Sequence, residues 1–151
     1  MDKRIVYTNA EGGVSVVIPA PDARLPEESD EQFANRIAST DVPPATPYTV
    51  VDATDLPIRD EFRNAWAMNG FVHVDMDKAK AIWIEKIRAW REPLLLGLDI
   101  DYLRADEAKD AAAKADIVAR KKVLRDATTN PAIEAATSVE ELRATWPVLP
   151  P

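Results

Sequence analysis

The stretch that decides the fold is residues 75–105, DMDKAKAIWIEKIRAWREPLLLGLDIDYLRA. From residue 77 onward its apolar side chains recur every three or four positions, which is the period of an α-helix. Asp75 or Asp77 can cap the start. The pattern predicts an amphipathic helix over residues 77–98, as one long element or as two in series. Its main stripe consists of Ala79, Trp83, Ile87, Trp90, Leu94 and Leu98.

Pro93 lies inside this predicted helix. An interior proline removes one hydrogen bond and clashes with the preceding turn, at a cost of roughly 3 kcal/mol. We therefore expect a kink or a break near residues 90–92. Charged residues 106–110 interrupt the apolar stripe and residues 111–127 resume it, which predicts an antiparallel helical hairpin.

Two capping signals follow the hairpin. Asn130 and Pro131 form a cap and first-turn pair, and Ser138 with Glu141 forms a capping box. The capping box predicts a last short helix that ends at Ala144.

The first 75 residues have a different pattern. Two β-branched runs, 4–9 and 14–18, flank Gly12 and Gly13, which supply the positive φ that a tight turn requires. They predict a hairpin. Further strands are expected over residues 48–51 and 70–74, a short helix over 29–38, and an irregular or short helical stretch over 60–67. Together these patterns predict an α+β protein. A small N-terminal β-rich unit, made of a hairpin and short strands, is followed by a C-terminal helical hairpin and a short terminal helix.

Charge divides the chain at the same place. Residues 1–75 carry 6 basic and 13 acidic side chains, a net charge of −7, and residues 76–151 carry 13 of each. Seven of the 12 prolines lie in the first region and the second is alanine-rich. We predict an acidic, proline-rich, β-containing region over 1–75 and an α-helical region over 76–151.

Composition argues against several classes of function. The absence of cysteine excludes disulfides and thiolate chemistry, and the single histidine, His73, excludes most imidazole sites. No apolar run approaches the roughly 18 residues of a membrane span, and no secretory signal follows Met1, so we expect a soluble protein without membrane contact. The acidic balance argues against nucleic acid as a partner, because phosphate binding needs clustered cations.

The remaining candidate groups favour structural roles. His73 has no catalytic partner in the sequence, and the neighbouring Asp99 and Asp101 have no third metal ligand in reach. The one dense basic group spreads over several faces of a helix with aspartates nearby, which is typical of a solvated surface. That group consists of Arg120, Lys121, Lys122 and Arg125. We predict no enzyme activity, no cofactor and no metal.

The predicted helix over 77–98 carries more apolar surface than one neighbouring helix can cover. Ile82 and Ile84 lie about 100° to either side of Trp83, and Leu95 extends the flank. The excess belongs either to an ordinary core with two burial partners in the chain or to a surface for another chain, where tryptophan is favoured. The candidate contact residues, with two arginines as hydrogen-bonding rims, are Trp83, Ile87, Arg88, Trp90, Arg91, Leu94 and Leu95.

In its order of features the chain resembles the tail fibre assembly proteins, or tail fibre assembly chaperones, of tailed bacteriophages and prophages in alphaproteobacteria. The pieces that carry the resemblance are RIVYTNAEGGVSVVIPAP, VPPATPYTVVDATDLPIRDEFRNAW, VHVDMDKAKAIWIEKIRAWREPLLLGLDIDYLRA and KKVLRDATTNPAIEAATSVEELRATWP. The wider family has an arginine-rich motif that Arg88, Arg91, Leu94 and Leu95 match, while Glu92 and Pro93 depart from it.

The resemblance implies a non-enzymatic helper that binds a phage tail fibre or spike protein and assists its folding, trimerisation or attachment. It implies work in the host cytoplasm during assembly. A structural fibre or baseplate adaptor that is retained in the virion tail is the alternative. A homo-oligomer, or symmetric copies on a fibre trimer, stays open as the arrangement.

Overall fold

Alternating β-branched residues form the first two strands of the protein, whose computed structural model describes residues 2–149. β1 (Lys3–Thr8) and β2 (Val14–Val17) make an antiparallel hairpin. Gly12 has a φ of +77° in the connecting turn, a conformation that costs glycine little. The predicted hairpin is confirmed. Gly13 does not use a positive φ, so the expectation that both glycines supply it is wrong.

The third strand and the first helix complete a layer around this hairpin. β3 (Tyr48–Asp52) pairs antiparallel with β1, which gives the strand order β2-β1-β3. α1 (Asp30–Asp41) begins after Ser29, whose hydroxyl accepts a hydrogen bond from the backbone N–H of Gln32. The Gln32 side chain accepts one from the backbone N–H of Ser29 in return. This capping box satisfies two N–H groups that a helix start leaves open.

A second, two-stranded sheet follows. β4 (Trp66–Asn69) pairs antiparallel with β5 (Phe71–Val74). The expectation of an irregular or short helical stretch over 60–67 is right for the 3-10 turn Arg63–Ala65 and wrong for Trp66 and Ala67, which are already in the strand. Such a short strand is fixed by its pairing and burial, which sequence periodicity alone does not show.

The three-stranded sheet is buried on both faces, because successive side chains of a strand point to opposite sides. Ile5 packs with Ala34 and Ala38 of α1. Its neighbour Val6 packs with Trp66 and Val72 of the β4–β5 hairpin. The β-rich region, Met1–Asp75, is therefore a compact three-layer unit, and Met76–Pro151 forms a second compact unit.

The second unit is built on α2 (Met76–Glu107), one helix of 32 residues with Pro93 inside it. The expected break near residues 90–92 is wrong. One lost hydrogen bond does not end the helix because the next helix, α3 (Ala111–Asp126), contacts it on both sides of the proline, at Arg91 and at Asp99.

The rest of the second unit follows the predicted capping signals. Residues 108–110 connect α2 to α3, and the order of the α2–α3 contacts shows that the two helices are antiparallel. The short helices α4 (Pro131–Ala135) and α5 (Val139–Ala144) follow a 3-10 turn. Asn130 accepts from the backbone N–H of Ala132 and Ser138 from that of Glu141. The α+β fold class is confirmed.

Candidate functional site

Two of the candidate contact residues on α2 are core residues. Trp83 is 4% exposed and Ile87 is fully buried. The indole N–H of Trp83 donates to the hydroxyl of Thr145 at 2.9 Å, and this hydroxyl donates to the carbonyl of Leu142 at 2.7 Å. Burial removes Trp83 and Ile87 from any contact surface, because the C-terminal segment of the same chain already covers that part of the helix.

Contacts among three tryptophan rings hold this C-terminal segment against α2. The Trp146 ring lies 5.2 Å, centroid to centroid, from Trp83 and also 5.2 Å from Trp90. Both contacts are inclined rather than stacked, an arrangement that aromatic quadrupoles favour. Trp90 remains half-buried, so one face of this cluster is still open to solvent.

The two candidate arginines have different surroundings. Arg91 donates from one guanidinium nitrogen to the carbonyls of Leu124 and Arg125 and to the hydroxyl of Thr128, at 2.9 to 3.2 Å. It therefore satisfies carbonyls that the end of α3 leaves without helical partners. Arg88 is exposed and pairs with Glu85 one turn earlier.

The largest exposed apolar surface on α2 lies beyond these residues. Leu96, Ile100 and Leu103 are 61%, 53% and 63% exposed, and we call these three residues the α2 stripe. They are spaced by four and three positions, so they share one helical face. A step of about 100° per residue places Leu103 roughly opposite Leu94, which is half-buried together with Leu95.

An ion pair and a hydrogen bond join α2 to α3 along one side of α2. Asp99 pairs with Lys121, and Asp106 accepts a hydrogen bond from Lys114. The hydrogen bond to Asp106 raises the pKa of the Lys114 ammonium above its usual range. These pairs fix α3 to one face of α2 and leave the α2 stripe on another.

The other candidate groups take structural positions. The Nδ1 atom of His73 lies 3.4 Å from the carbonyl oxygen of Phe71, and its ring contacts the Phe71 ring. Asp99 and Asp101 pair with different cations, Lys121 and Arg104, and so do not converge. Within residues 2–149 no three His, Cys, Asp or Glu side chains are grouped to hold a metal ion.

The dense basic group on α3 is mostly neutralised. Arg120 pairs with Asp116 at 3.0 Å, Lys121 with Asp99 on α2, and Lys122 with Asp126. Paired cations of this kind form a salt-bridged helix surface rather than a concentrated positive patch.

For Trp83 and Ile87 the structure agrees with the core alternative, and the exposed apolar residues of α2 lie one to two turns later. The sequence argument centred on residues 82–95, whose large apolar side chains are buried or half-buried in the structure. The four-and-three spacing of Leu96, Ile100 and Leu103 was present in the sequence as a second stripe. Only the positions of α3 and of the C-terminal segment show which of the two stripes is covered.

Comparison with protein-family models, with curated proteins and with solved structures gives no significant match. In the described part of the chain, no helix combines the length and the apolar content that a membrane crossing requires.

Proposed function

We propose that the protein is a non-enzymatic tail fibre assembly chaperone, which binds a phage tail fibre or spike protein in the host cytoplasm and assists its folding, trimerisation or attachment. The proposal rests on the sequence resemblance and on one structural observation. That observation is the α2 stripe, an aligned apolar surface on a helix whose opposite side is already packed.

An aligned stripe is more informative than the same number of scattered residues. Single exposed apolar side chains are ordinary, whereas contiguous ones mark interaction surfaces. Helices bind partner grooves through apolar residues spaced by three, four and seven positions, and Leu96, Ile100 and Leu103 have this spacing.

The proposed client, a tail fibre or spike protein, exposes apolar surface that a chaperone can bind. A β-rich trimer depends on non-local contacts, so its chains expose apolar surface until they associate. The half-buried Trp90, Leu94 and Leu95, with the exposed Arg88, extend the proposed contact area along α2. In this arrangement Trp83, Ile87 and Arg91 hold α2 in place and do not touch the client.

Co-expression with a candidate tail fibre gene from the same genome tests the proposal. The measurement is the amount of soluble, trimeric fibre with and without this protein. A triple variant, Leu96→Gln, Ile100→Gln and Leu103→Gln, is expected to lower the trimer yield while the isolated protein keeps its helix content. Val118→Gln on α3 is the control, because Val118 is also 53% exposed and lies outside the α2 stripe.

A fibre that is equally soluble and trimeric without this protein would contradict the chaperone proposal. If the wild-type protein assists the fibre and the triple variant assists it equally well, the client contacts another surface. The two results separate the function from the surface assigned to it.

A structural virion component, such as a fibre or baseplate adaptor, is the second candidate. A persistent helix-to-groove contact through the α2 stripe would serve this role as well. Mass spectrometry of purified particles distinguishes the two, since a retained adaptor is present in stoichiometric amounts and a transient helper is absent.

A further inference from the structure

A cavity in the β-rich unit collects an unusual share of that unit's positive charge. Residues 1–75 carry 6 basic side chains against 13 acidic ones. Three of these six, Arg4, Arg59 and Arg63, line one cavity of about 330 Å³. Concentrating cations in a net acidic unit costs electrostatic repulsion, and the cost is offset when an anion binds between them.

The arginines differ in whether a carboxylate already neutralises them. Arg4 pairs with Asp2 through two hydrogen bonds. Arg59 is exposed, and neither it nor Arg63 forms an ion pair with any carboxylate within residues 2–149. The cavity therefore contains two guanidinium groups without a counter-charge.

Arg63 is held in a fixed position at the cavity wall. It donates to the carbonyl of Val14 at 2.6 Å, and its guanidinium carbon lies 4.3 Å from the centroid of the Trp66 ring. Partial burial lowers the pKa of the Arg63 guanidinium, and the nearby charge of Arg59 lowers it further. A bound anion would relieve both effects.

Trp66 forms part of the cavity wall. Its side chain is buried, at 3% exposure, and lines the cavity. Its indole nitrogen has almost no accessible surface, so a ligand in the cavity would not contact this atom. Trp66 therefore contributes its ring, which lies against the Arg63 guanidinium, and not its N–H.

The remaining walls are apolar. The apolar lining of the cavity includes Val16, Ile18, Leu56 and Pro57. Ligand sites typically combine such apolar walls with a few convergent polar groups in a volume of about 300 to 1,000 Å³. This cavity is at the lower end of that range, which suits a group the size of one amino-acid residue.

We propose that this cavity binds a carboxylate that carries an apolar group, with the carboxylate between Arg59 and Arg63. Guanidinium groups match the planar, two-oxygen geometry of a carboxylate. The apolar substituent then lies against apolar lining residues such as Val16 and Leu56. The site is in the β-rich unit and does not depend on the function proposed for α2.

Trp66 makes the proposal directly measurable. The chain has four tryptophans, so a ¹⁵N-labelled sample gives four indole N–H signals, and Trp66→Phe identifies one of them. Titration with N-acetyl-leucine is expected to shift the Trp66 signal to saturation, because the Arg63 guanidinium lies 4.3 Å from the Trp66 ring centroid. N-acetyl-leucinamide, which lacks the charge, is expected to bind at least about tenfold more weakly.

Variants separate the site from general charge effects. Arg59→Gln is expected to weaken binding about three- to tenfold, because Arg59 is exposed and its contact is screened. Arg125→Gln removes the same charge from exposed α3 and is expected to leave binding unchanged. Thermal unfolding of each variant checks that the fold is retained.

Further probes distinguish the sources of the carboxylate. A short peptide that ends in leucine, the same peptide with an amidated end, and a peptide with one internal glutamate separate a chain terminus from a side chain. Three results would overturn the proposal: a Trp66 signal that does not saturate, equal binding of the uncharged amide, or an Arg59→Gln protein that binds like the wild type. Inorganic phosphate that moves the signal as strongly as N-acetyl-leucine would also overturn it.

Discussion

Before Pro93 the large apolar side chains Trp83, Ile87 and Trp90 are buried or half-buried against the chain itself. After Pro93 the three residues of the α2 stripe stay exposed. The first half contacts the C-terminal segment through Trp83 and Trp90. The second half contacts α3 on one side and presents Leu96, Ile100 and Leu103 on the other. The two halves of one continuous helix thus differ in burial: the first half holds the C-terminal segment, and the second half keeps an exposed apolar face.

The largest expected effect comes from the covered half. Trp83→Ala removes a buried ring and its hydrogen bond to Thr145, and should lower the free energy of unfolding by about 3 to 5 kcal/mol. Urea unfolding followed by circular dichroism measures this value. Leu103→Ala on the exposed half is the matched control and should change it by less than about 0.5 kcal/mol. Similar losses in both variants would contradict the division of α2.

Replacing Pro93, at the boundary between the two halves, should give the second-largest effect, which is an increase in the free energy of unfolding. Pro93 is exposed, so replacing it loses little packing. Pro93→Ala restores one helical hydrogen bond and should raise the free energy of unfolding by about 2 kcal/mol, after the greater freedom of the unfolded chain is subtracted. A lower melting temperature of Pro93→Ala would show that the proline ring makes a favourable contact that alanine does not replace.

A smaller change in the unfolding free energy is expected from the hydrogen bond that joins the first half of α2 to the C-terminal segment. Thr145→Val keeps the shape of the side chain but leaves the Trp83 indole N–H without its acceptor. The unfolding free energy should fall by about 1.5 kcal/mol, the cost of an unsatisfied buried donor. Thr145→Ser keeps the hydroxyl and should recover most of the loss. A Thr145→Val protein as stable as the wild type would show that the hydrogen bond makes no net contribution, and a Thr145→Ser protein that loses as much as Val would show that the methyl group contributes as much as the hydroxyl.

The smallest effect lies at the far end of the exposed half. The hydrogen bond to Asp106 raises the pKa of Lys114, so the charged pair stabilises the folded state below the usual lysine pKa and is lost as the pH rises through the raised value. Lys114→Gln should therefore lower the melting temperature slightly at neutral pH. The difference from the wild type should disappear in strongly alkaline buffer, and a difference independent of pH would exclude this origin.

Much of the fold was accessible from the sequence because its local signals agree. Ser29, Asn130 and Ser138 each cap a helix as predicted. The β-branched runs pair as a hairpin. The misses have non-local causes, since β4 depends on its pairing with β5 and the helix continues through Pro93 while α3 lies alongside.

The candidate site was less accessible for the same reason. The spacing of Trp83, Ile87 and Leu94 identifies an apolar face, but a single sequence does not show which neighbour covers it. The cavity beside Trp66 had no local signature, because Arg4 and Val16 are far from Arg59 and Arg63 in the chain and meet them only in the folded unit.

The contact of Trp146 with two other indoles has an optical consequence. Rings at this separation and inclination couple their electronic transitions, so the far-ultraviolet circular dichroism of the unit should contain a paired positive and negative band. Detachment of the C-terminal segment would abolish that band pair before the helices melt. The protein therefore carries its own spectroscopic reporter of the docked segment, without any attached label.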